Sequence, residues 1–451
     1  MKMIYNIEDK PKFGQVLVFA FQQLLAIMAA TIAVPMIIGN GMSIAAALFG
    51  AGVGTLIYVL FTKASSPVFL GSSFAFLGSM GAAFAGVVSA QAGFAGLVIG
   101  AALAGLVYVI IAILVKFVGV EWLNKLMPPV VIGPTVAIIG LSLAGAAVGD
   151  LQKPNVEGGN TLIAVLCGLV TLVVVTLCST YGKKMTKLIP FIIGILAGYA
   201  TATIFTVIGN ITGIDALKII NFAPITALWA DGVKLSTFVS VPEFTFLTAI
   251  KGVKEIDGAY IGTIAAAYIP VAFVVFAEHV ADHKNISSII ERDLLDKPGL
   301  HRTLLGDGVG SMVGAFFGGC PNTTYGESVA CVAITRNASV VTIITTAIMA
   351  IAISFFAPII AFLSSIPSCV MGGVCMSLYG FIAVSGLKML QPVDLGDNKN
   401  LFTASVILIA GIGGLSLTFG KVTITSIATA LILGIIINTI LSGKKAEETE
   451  E

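Results

Sequence analysis

Four ionisable residues stand where apolar sequence would normally exclude them. Glu278 and His279 follow an apolar run from Ile264 to Ala277. Asp282 comes four residues after Glu278, and Glu327 ends the segment Pro321-Asn322-Thr323-Thr324-Tyr325-Gly326-Glu327. Charges inside apolar spans are costly and usually functional. The i, i+4 spacing puts Glu278 and Asp282 on one helical face, where Asp282 can take up a proton beside the neighbouring carboxylate. A carboxylate accepts hydrogen bonds from ring N–H groups, so the chemistry indicated is recognition of a small polar ligand. Bond making is not indicated. His279 reads as a helix-end hydrogen-bonding residue, while His283 and His301 read as solvated in a charged loop. All three histidines fall in one short stretch, with no nucleophile–base pair and no metal-ligand spacing. The six cysteines form no CxxC and read as small buried thiols. The expectation is a protein that is not an enzyme and uses no metal or cofactor.

The elements that must position these residues are membrane spans. The chain has 451 residues, of which 57% are hydrophobic and only 10% charged. Soluble domains carry roughly 25% charged residues, so this chain cannot cover a water-facing surface and a lipid bilayer is its natural solvent. The formal net charge of +1 argues against a nucleic-acid partner. Met1 to Lys12 is polar and mixed in charge, unlike a cleavable signal. Residues 443–451 are charged and read as a disordered tail.

A helical span needs about 20 apolar residues. Twelve candidates lie near 14–38, 43–62, 91–116, 130–149, 160–180, 186–209, 259–281, 301–319, 338–362, 369–387, 400–419 and 422–442. Two more segments, 66–84 and 320–335, are apolar but interrupted by Pro, Gly, Ser and Thr. Counting both gives fourteen crossings with both termini on one side. The positive-inside rule supports that count: 18 of the 24 basic residues fall on the side of the termini, which is then cytoplasmic. The longest stretch between spans, 209–258, contains Trp229 and an amphipathic piece from Phe244 to Ile256 expected to lie flat on the outer face.

The two broken segments echo each other. Pro67-Val68-Phe69-Leu70-Gly71 opens the third crossing, and Pro321-Asn322-Thr323-Thr324-Tyr325-Gly326 opens the tenth. Met127-Pro128-Pro129 and Ile366-Pro367 likewise open the fifth and twelfth. Each pair is seven crossings apart. Seven is odd, so the halves have opposite orientations, and interrupted segments at matching positions of an inverted repeat point to a transporter binding site. Irregular backbone at membrane depth survives only when buried in protein or lining a cavity. Val68-Phe69-Leu70 and Thr323-Thr324-Tyr325 can pair as short antiparallel strands. Each strand then feeds a half-helix whose free N–H groups face the centre, one starting at Ser73 and Phe74, the other at Gly326 and Glu327. Amide donors plus carboxylate acceptors suit a planar ligand with carbonyl oxygens and ring N–H groups, a pattern uracil has. Phe74 or Tyr325 can pack on its ring.

Several motifs together are specific. They are Leu70-Gly71-Ser72-Ser73-Phe74-Ala75-Phe76, Ala277-Glu278-His279-Val280, Asp296-Lys297-Pro298-Gly299-Leu300-His301-Arg302, Pro321 to Glu327, and Ala333-Ile334-Thr335-Arg336. On these the chain resembles the nucleobase–ascorbate transporter family, on its bacterial uracil-carrying branch, over residues 12–442. The resemblance implies an all-α membrane protein of fourteen segments in two inverted repeats of seven, with short antiparallel strands in segments 3 and 10. It implies a core domain from 1–125 and 241–365, and a gate domain from 126–240 and 366–442 that usually dimerises. By matching position, Glu278 and Glu327 are the substrate carboxylates. Phe74 and Gly326 offer backbone amides, with Ser73 at the start of the first half-helix, Ala30 lining the first span and Tyr325 beside the site. The implied activity is import of uracil by proton symport across the bacterial inner membrane, through elevator-like movement; the adjacent carboxylates themselves point to Glu278, Asp282 or both as the carriers of the proton. A purine carrier for xanthine or urate is the alternative on the same fold, and an anion exchanger of similar architecture is a further one. The chain departs from the family pattern at Gln23, where the family has His, and at Ser328 and Ala330, where it has Asn and Gly. Asp282 replaces a His of the uracil carriers.

Overall fold

The structure is a computed structural model that describes residues 3–85, 87, 89–119, 121–183, 185–230, 232–420 and 422–447. Eight helices among them are long and apolar enough to cross a bilayer. In chain order they are α1 (Phe13–Ile38), α2 (Ile44–Phe61), α4 (Ala90–Val118), a joined pair α5 (Pro129–Ser142) and α6 (Ala144–Leu151), α7 (Thr161–Tyr181), α8 (Pro190–Thr212), α10 (Gly258–Ile290) and α14 (Ser368–Met389). The shorter helices interleaved with them are α3 (Leu77–Phe84), α9 (Thr245–Gly252), α11 (Leu300–Gly318), α12 (Gly326–Thr335), α13 (Val340–Ser354), α15 (Asn398–Ile412) and α16 (Ser426–Glu447).

The helices start where local chemistry allows. Ser43, Ser89 and Asp257 cap α2, α4 and α10, their side-chain oxygens accepting from backbone N–H groups three residues on. Helix α10 is 33 residues long, about 50 Å at 1.5 Å per residue. Sequence reading ended this span near residue 281. The helix instead runs on through the polar stretch to Ile290, because no Gly or Pro follows until Pro298 and its polar residues find buried partners.

Two short strands cross in the interior. β1 (Leu70–Ser72) pairs antiparallel with β2 (Asn322–Thr324), Gly71 opposite Thr323. The expected antiparallel pairing is present, displaced one or two residues from the segments read in sequence. Pro67 and Pro321 keep helix from forming just before each strand. The pairing extends beyond the strands, with Ser73 N donating to Pro321 O at 2.9 Å and Tyr325 N to Phe69 O at 3.2 Å. β1 leads through a turn of 3-10 helix, Phe74–Phe76, into α3, and β2 leads through Tyr325 into α12.

Around this crossing, α2 packs against α11, α4 against α10 and α11, and α1 against α13 and α12. The helix α14 packs against α5 and α7, α8 against α7, and α15 against α16. The α2–α11 contact is a meeting of glycines: a methyl group on Gly50 would lie 2.4 Å from Gly314 O. Small residues let helix backbones approach this closely in lipid. The amphipathic piece forms α9 and packs on α4 and α11.

Two expectations are corrected near the C-terminus. Residues 413–420 and 422–425 do not continue a helix. Leu417–Phe419 (β3) and Val422–Ile424 (β4) form a hairpin, because Gly413 and Gly414, the latter at φ 73°, stop α15 and the β-branched alternation beyond favours strand. The charged end is also not wholly irregular, since α16 is helical to Glu447. Residues 448–451 of the expected disordered tail lie outside the described residues.

Candidate functional site

The strand crossing places two helix starts at one cavity of about 470 Å³. Ser73, Phe74 and Ala75 line it from one strand end, and Tyr325, Gly326 and Glu327 from the other. Glu278 and Asp282 line it from α10, and Val136, Ile139, Leu378 and Ile382 face them from α5 and α14. Neither Ser73 nor Tyr325, the residues preceding the two helix starts, gives a side-chain cap. First-turn N–H groups left without such caps are ready donors. Ser73 and Thr323 also line the cavity, and their buried hydroxyls have no protein partner.

All three carboxylates foreseen from the sequence therefore reach one cavity. Asp282 Oδ2 accepts from Thr324 Oγ1 at 2.8 Å, which ties α10 to β2. Asp282 Oδ1 lies 3.9 Å from the point a Cβ on Gly326 would occupy. A single lysine, Lys187, is among the lining residues. Three acidic side chains against one lysine make the cavity a poor host for an anion.

Tyr325 lines the cavity but is fixed. Its hydroxyl donates to Ser72 O at 2.8 Å and receives Thr31 Oγ1 at 3.5 Å. Its ring lies over Gly71, where a Cβ would fall 2.3 Å from Cε2. Only glycine admits the ring there. Phe74 meets Tyr379 of α14 edge to face, centroids 6.0 Å apart. Ala30 is buried and is not among the cavity-lining residues; Ala26, one turn earlier, is.

Two departures from the family pattern meet each other. Gln23 Nε2 donates to Ser328 Oγ at 2.5 Å, and that oxygen also receives Phe69 N at 3.0 Å. This buried bond joins α1 to α12 just behind the strand crossing. Sequence reading noted both residues without seeing that they touch.

The histidines behave differently from their reading. His283 is fully buried, not solvated. Its Nε2 lies 2.7 Å from the Tyr58 hydroxyl and its Nδ1 lies 2.8 Å from His279 O, because α10 carries it inward against α2. His279 is not at a helix end. It is buried against α11, 2.7 Å from Asp307 and 3.0 Å from Thr303. Asp307 was missed in sequence. It sits in the glycine-rich run Leu305-Gly306-Asp307-Gly308-Val309-Gly310, and an acidic residue among glycines in a span is the signal that could have found it.

The described residues contain no group of His, Cys, Asp and Glu side chains that could hold a metal ion. The cysteines are unpaired.

Comparison with known proteins identifies the family. A family model described as "Permease family" matches residues 14–420. The uracil permease of Bacillus caldolyticus is 39% identical over 98% of this chain and 96% of its own length. That of Escherichia coli K12 is 33% identical over 95% and 92%. In fold, the transmembrane domain of the cyanobacterial bicarbonate transporter BicA superposes with a TM-score of 0.59 at 14% identity, covering 96% of this chain and 98% of that one. The murine anion transporter Slc26a9 superposes at 0.65 and 11% identity, covering 97% and 70%. Those two likenesses concern the fold alone. With the family matched over nearly its whole length, the chain belongs to the xanthine/uracil permease family and is a multi-pass membrane transporter, not an enzyme.

Proposed function

We propose that this protein imports uracil by proton symport. The observation that carries the reading is the convergence of Glu278, Asp282 and Glu327 with two uncapped helix starts on one cavity. Glu278 and Glu327 accept the two ring N–H groups, and the amides at Phe74 and Gly326 donate to the ring carbonyls. Ser73 Oγ is a further donor beside the ring. A neutral ligand with two N–H donors satisfies carboxylates that an anion would oppose. The relatives named uracil permeases support the choice of base.

The proton accompanies the base. Three carboxylates around one small cavity repel one another, and a proton on Glu278 or Asp282 relieves that repulsion as the substrate loads. The fourteen crossings comprise the eight long helices, α11 and the five shorter apolar segments, arranged as two inverted sets of seven. The first four crossings of each set make the core, 1–125 and 241–365. The last three make the gate, 126–240 and 366–442, which dimerises. The core slides past the gate in an elevator-like motion. Support comes from the pairing of β1 with β2 at matching positions of the two halves. Both termini lie on the lysine-rich side, in the cytoplasm of a bacterial cell.

Calorimetric titration of the purified protein with uracil tests the site. Binding should be saturable at one site per chain, displaced weakly by xanthine or urate, and reduced by Glu278→Gln. Equal or tighter binding of xanthine would move the assignment to the purines.

A further inference from the structure

The buried pair behind the cavity is fully accounted for only with a proton in it. His279 Nε2 lies 3.0 Å from Thr303 Oγ1, and that hydroxyl's own hydrogen goes to Leu300 O at 3.0 Å. Thr303 must therefore accept, so Nε2 carries a hydrogen. On the other side of the ring, Nδ1 lies 2.7 Å from Asp307 Oδ2. A lone pair facing a carboxylate lone pair at that distance would repel, and both side chains are sealed, at 0% and 1% exposure. One proton must lie between them, on the ring or on the carboxyl. Either way the pair is neutral overall, as a site shut off from water demands.

We propose that His279 and Asp307 form a proton-holding site separate from the cavity carboxylates, one that keeps its proton throughout transport and positions α10 on α11. The route out is closed at both ends. Asp307 Oδ1 has no hydrogen-bond partner, and the Thr303 hydroxyl ends on a backbone carbonyl. The groups around the pair are Tyr108 from α4, whose ring lies 6.3 Å from His279 and whose hydroxyl is unpartnered, and Tyr58 from α2. From α10 itself come His283, stacked at 4.0 Å, Glu278 beside it in sequence and Asp282. Among the described residues no side-chain hydrogen bond joins the pair to Glu278, Asp282 or Glu327. The proton exchanged in symport is therefore carried at the cavity. Asp307 and His279 keep a further charge from forming behind Glu278.

Nitrogen-15 spectroscopy of histidine-labelled protein tests this directly, with His301→Gln and His283→Gln used for assignment. The His279 signals should show Nε2 protonated and Nδ1 in a strong hydrogen bond, unchanged between about pH 5 and 8 and unchanged by uracil. A His279 signal that titrates in that window, or moves to a deprotonated form with substrate, overturns the proposal. In uptake assays Asp307→Asn, whose amide donates to Nδ1 as a protonated carboxyl would, should stay within roughly threefold of the parent, whereas Asp307→Ala should fall roughly tenfold or more. Equal loss in both, in protein that elutes and melts like the parent, also overturns it. The spectroscopic result holds whichever base is carried.

Discussion

Gly71→Ala should disable the site without altering any group assigned to hydrogen-bond the ligand. A Cβ at this position would lie 2.3 Å from Tyr325 Cε2, 2.4 Å from Cζ and 2.8 Å from the hydroxyl. Ordinary carbon contacts are about 3.5–4.0 Å, so the ring or the strand must move by more than an ångström. The ring is not free to do so. It is 4% exposed, its hydroxyl is bound to Ser72 O, and its backbone N–H is bound to Phe69 O. Overpacking costs about 1–3 kcal/mol, and losing the tyrosine hydrogen bond adds about 1 kcal/mol. The sum, about 2–4 kcal/mol, corresponds to roughly 30- to 1000-fold in an equilibrium constant at 1.4 kcal/mol per decade. Because Gly326 and Glu327 follow Tyr325 directly, the displacement falls on the binding site and appears mainly as lost uracil affinity. Calorimetry on folded variant protein measures it. The double variant Gly71→Ala/Tyr325→Ala, which removes the clashing ring, should bind better than Gly71→Ala alone. Parent-like affinity for Gly71→Ala would refute the view that this close approach sets the position of Glu327.

Other substitutions probe the remaining contacts. Glu327→Gln keeps the shape but replaces a charged acceptor by a neutral one. The difference of about 1–2 kcal/mol should reduce uracil affinity roughly tenfold, read as a rise in Kd. Thr324→Val removes the donor to Asp282, and with the carboxylate no longer held, uptake should fall and its pH dependence should change. A pH profile identical to the parent would count against Asp282 as a proton carrier. Near the N-terminus the Arg292 guanidinium, 2.5 Å from Glu8, holds the Glu8 carboxyl below the usual carboxylate range. Its contribution is therefore present above the ordinary glutamate range and lost as pH falls through the lowered value. Both side chains are exposed, so Arg292→Ala should cost at most about 1 kcal/mol, seen as a small drop in melting temperature at neutral pH that vanishes in acid.

The site was largely legible in the sequence because it is built from local exceptions. Carboxylates at Glu278 and Glu327 and prolines at Pro67 and Pro321 stand out against apolar surroundings, and each exception has a local physical cause. The matching breaks also announced the β1–β2 pairing, since two interrupted segments leave backbone groups that only each other can satisfy. What stayed hidden was long-range. His283 seemed solvated because its sequence neighbours are charged, yet Tyr58, 225 residues away, holds it inside. Gln23 and Ser328 touch across 305 residues, and nothing in either segment names the other. Asp307 was overlooked inside 301–319, a glycine-rich segment that was itself read as a span. The β3–β4 hairpin was read as helix because its residues are apolar. The Thr418 and Thr423 alternation around Gly420 carried the strand signal.

The most direct test of proton-coupled uracil import is uptake of labelled uracil into proteoliposomes, with and without an inwardly directed proton gradient. Saturable uptake stimulated by the gradient, and abolished when the gradient is collapsed, is the expected result. Uracil entry at the same rate with and without the gradient would contradict coupling through Glu278 and Asp282. Failure of uracil to enter at all, in vesicles that accumulate xanthine, would contradict the assignment of the substrate.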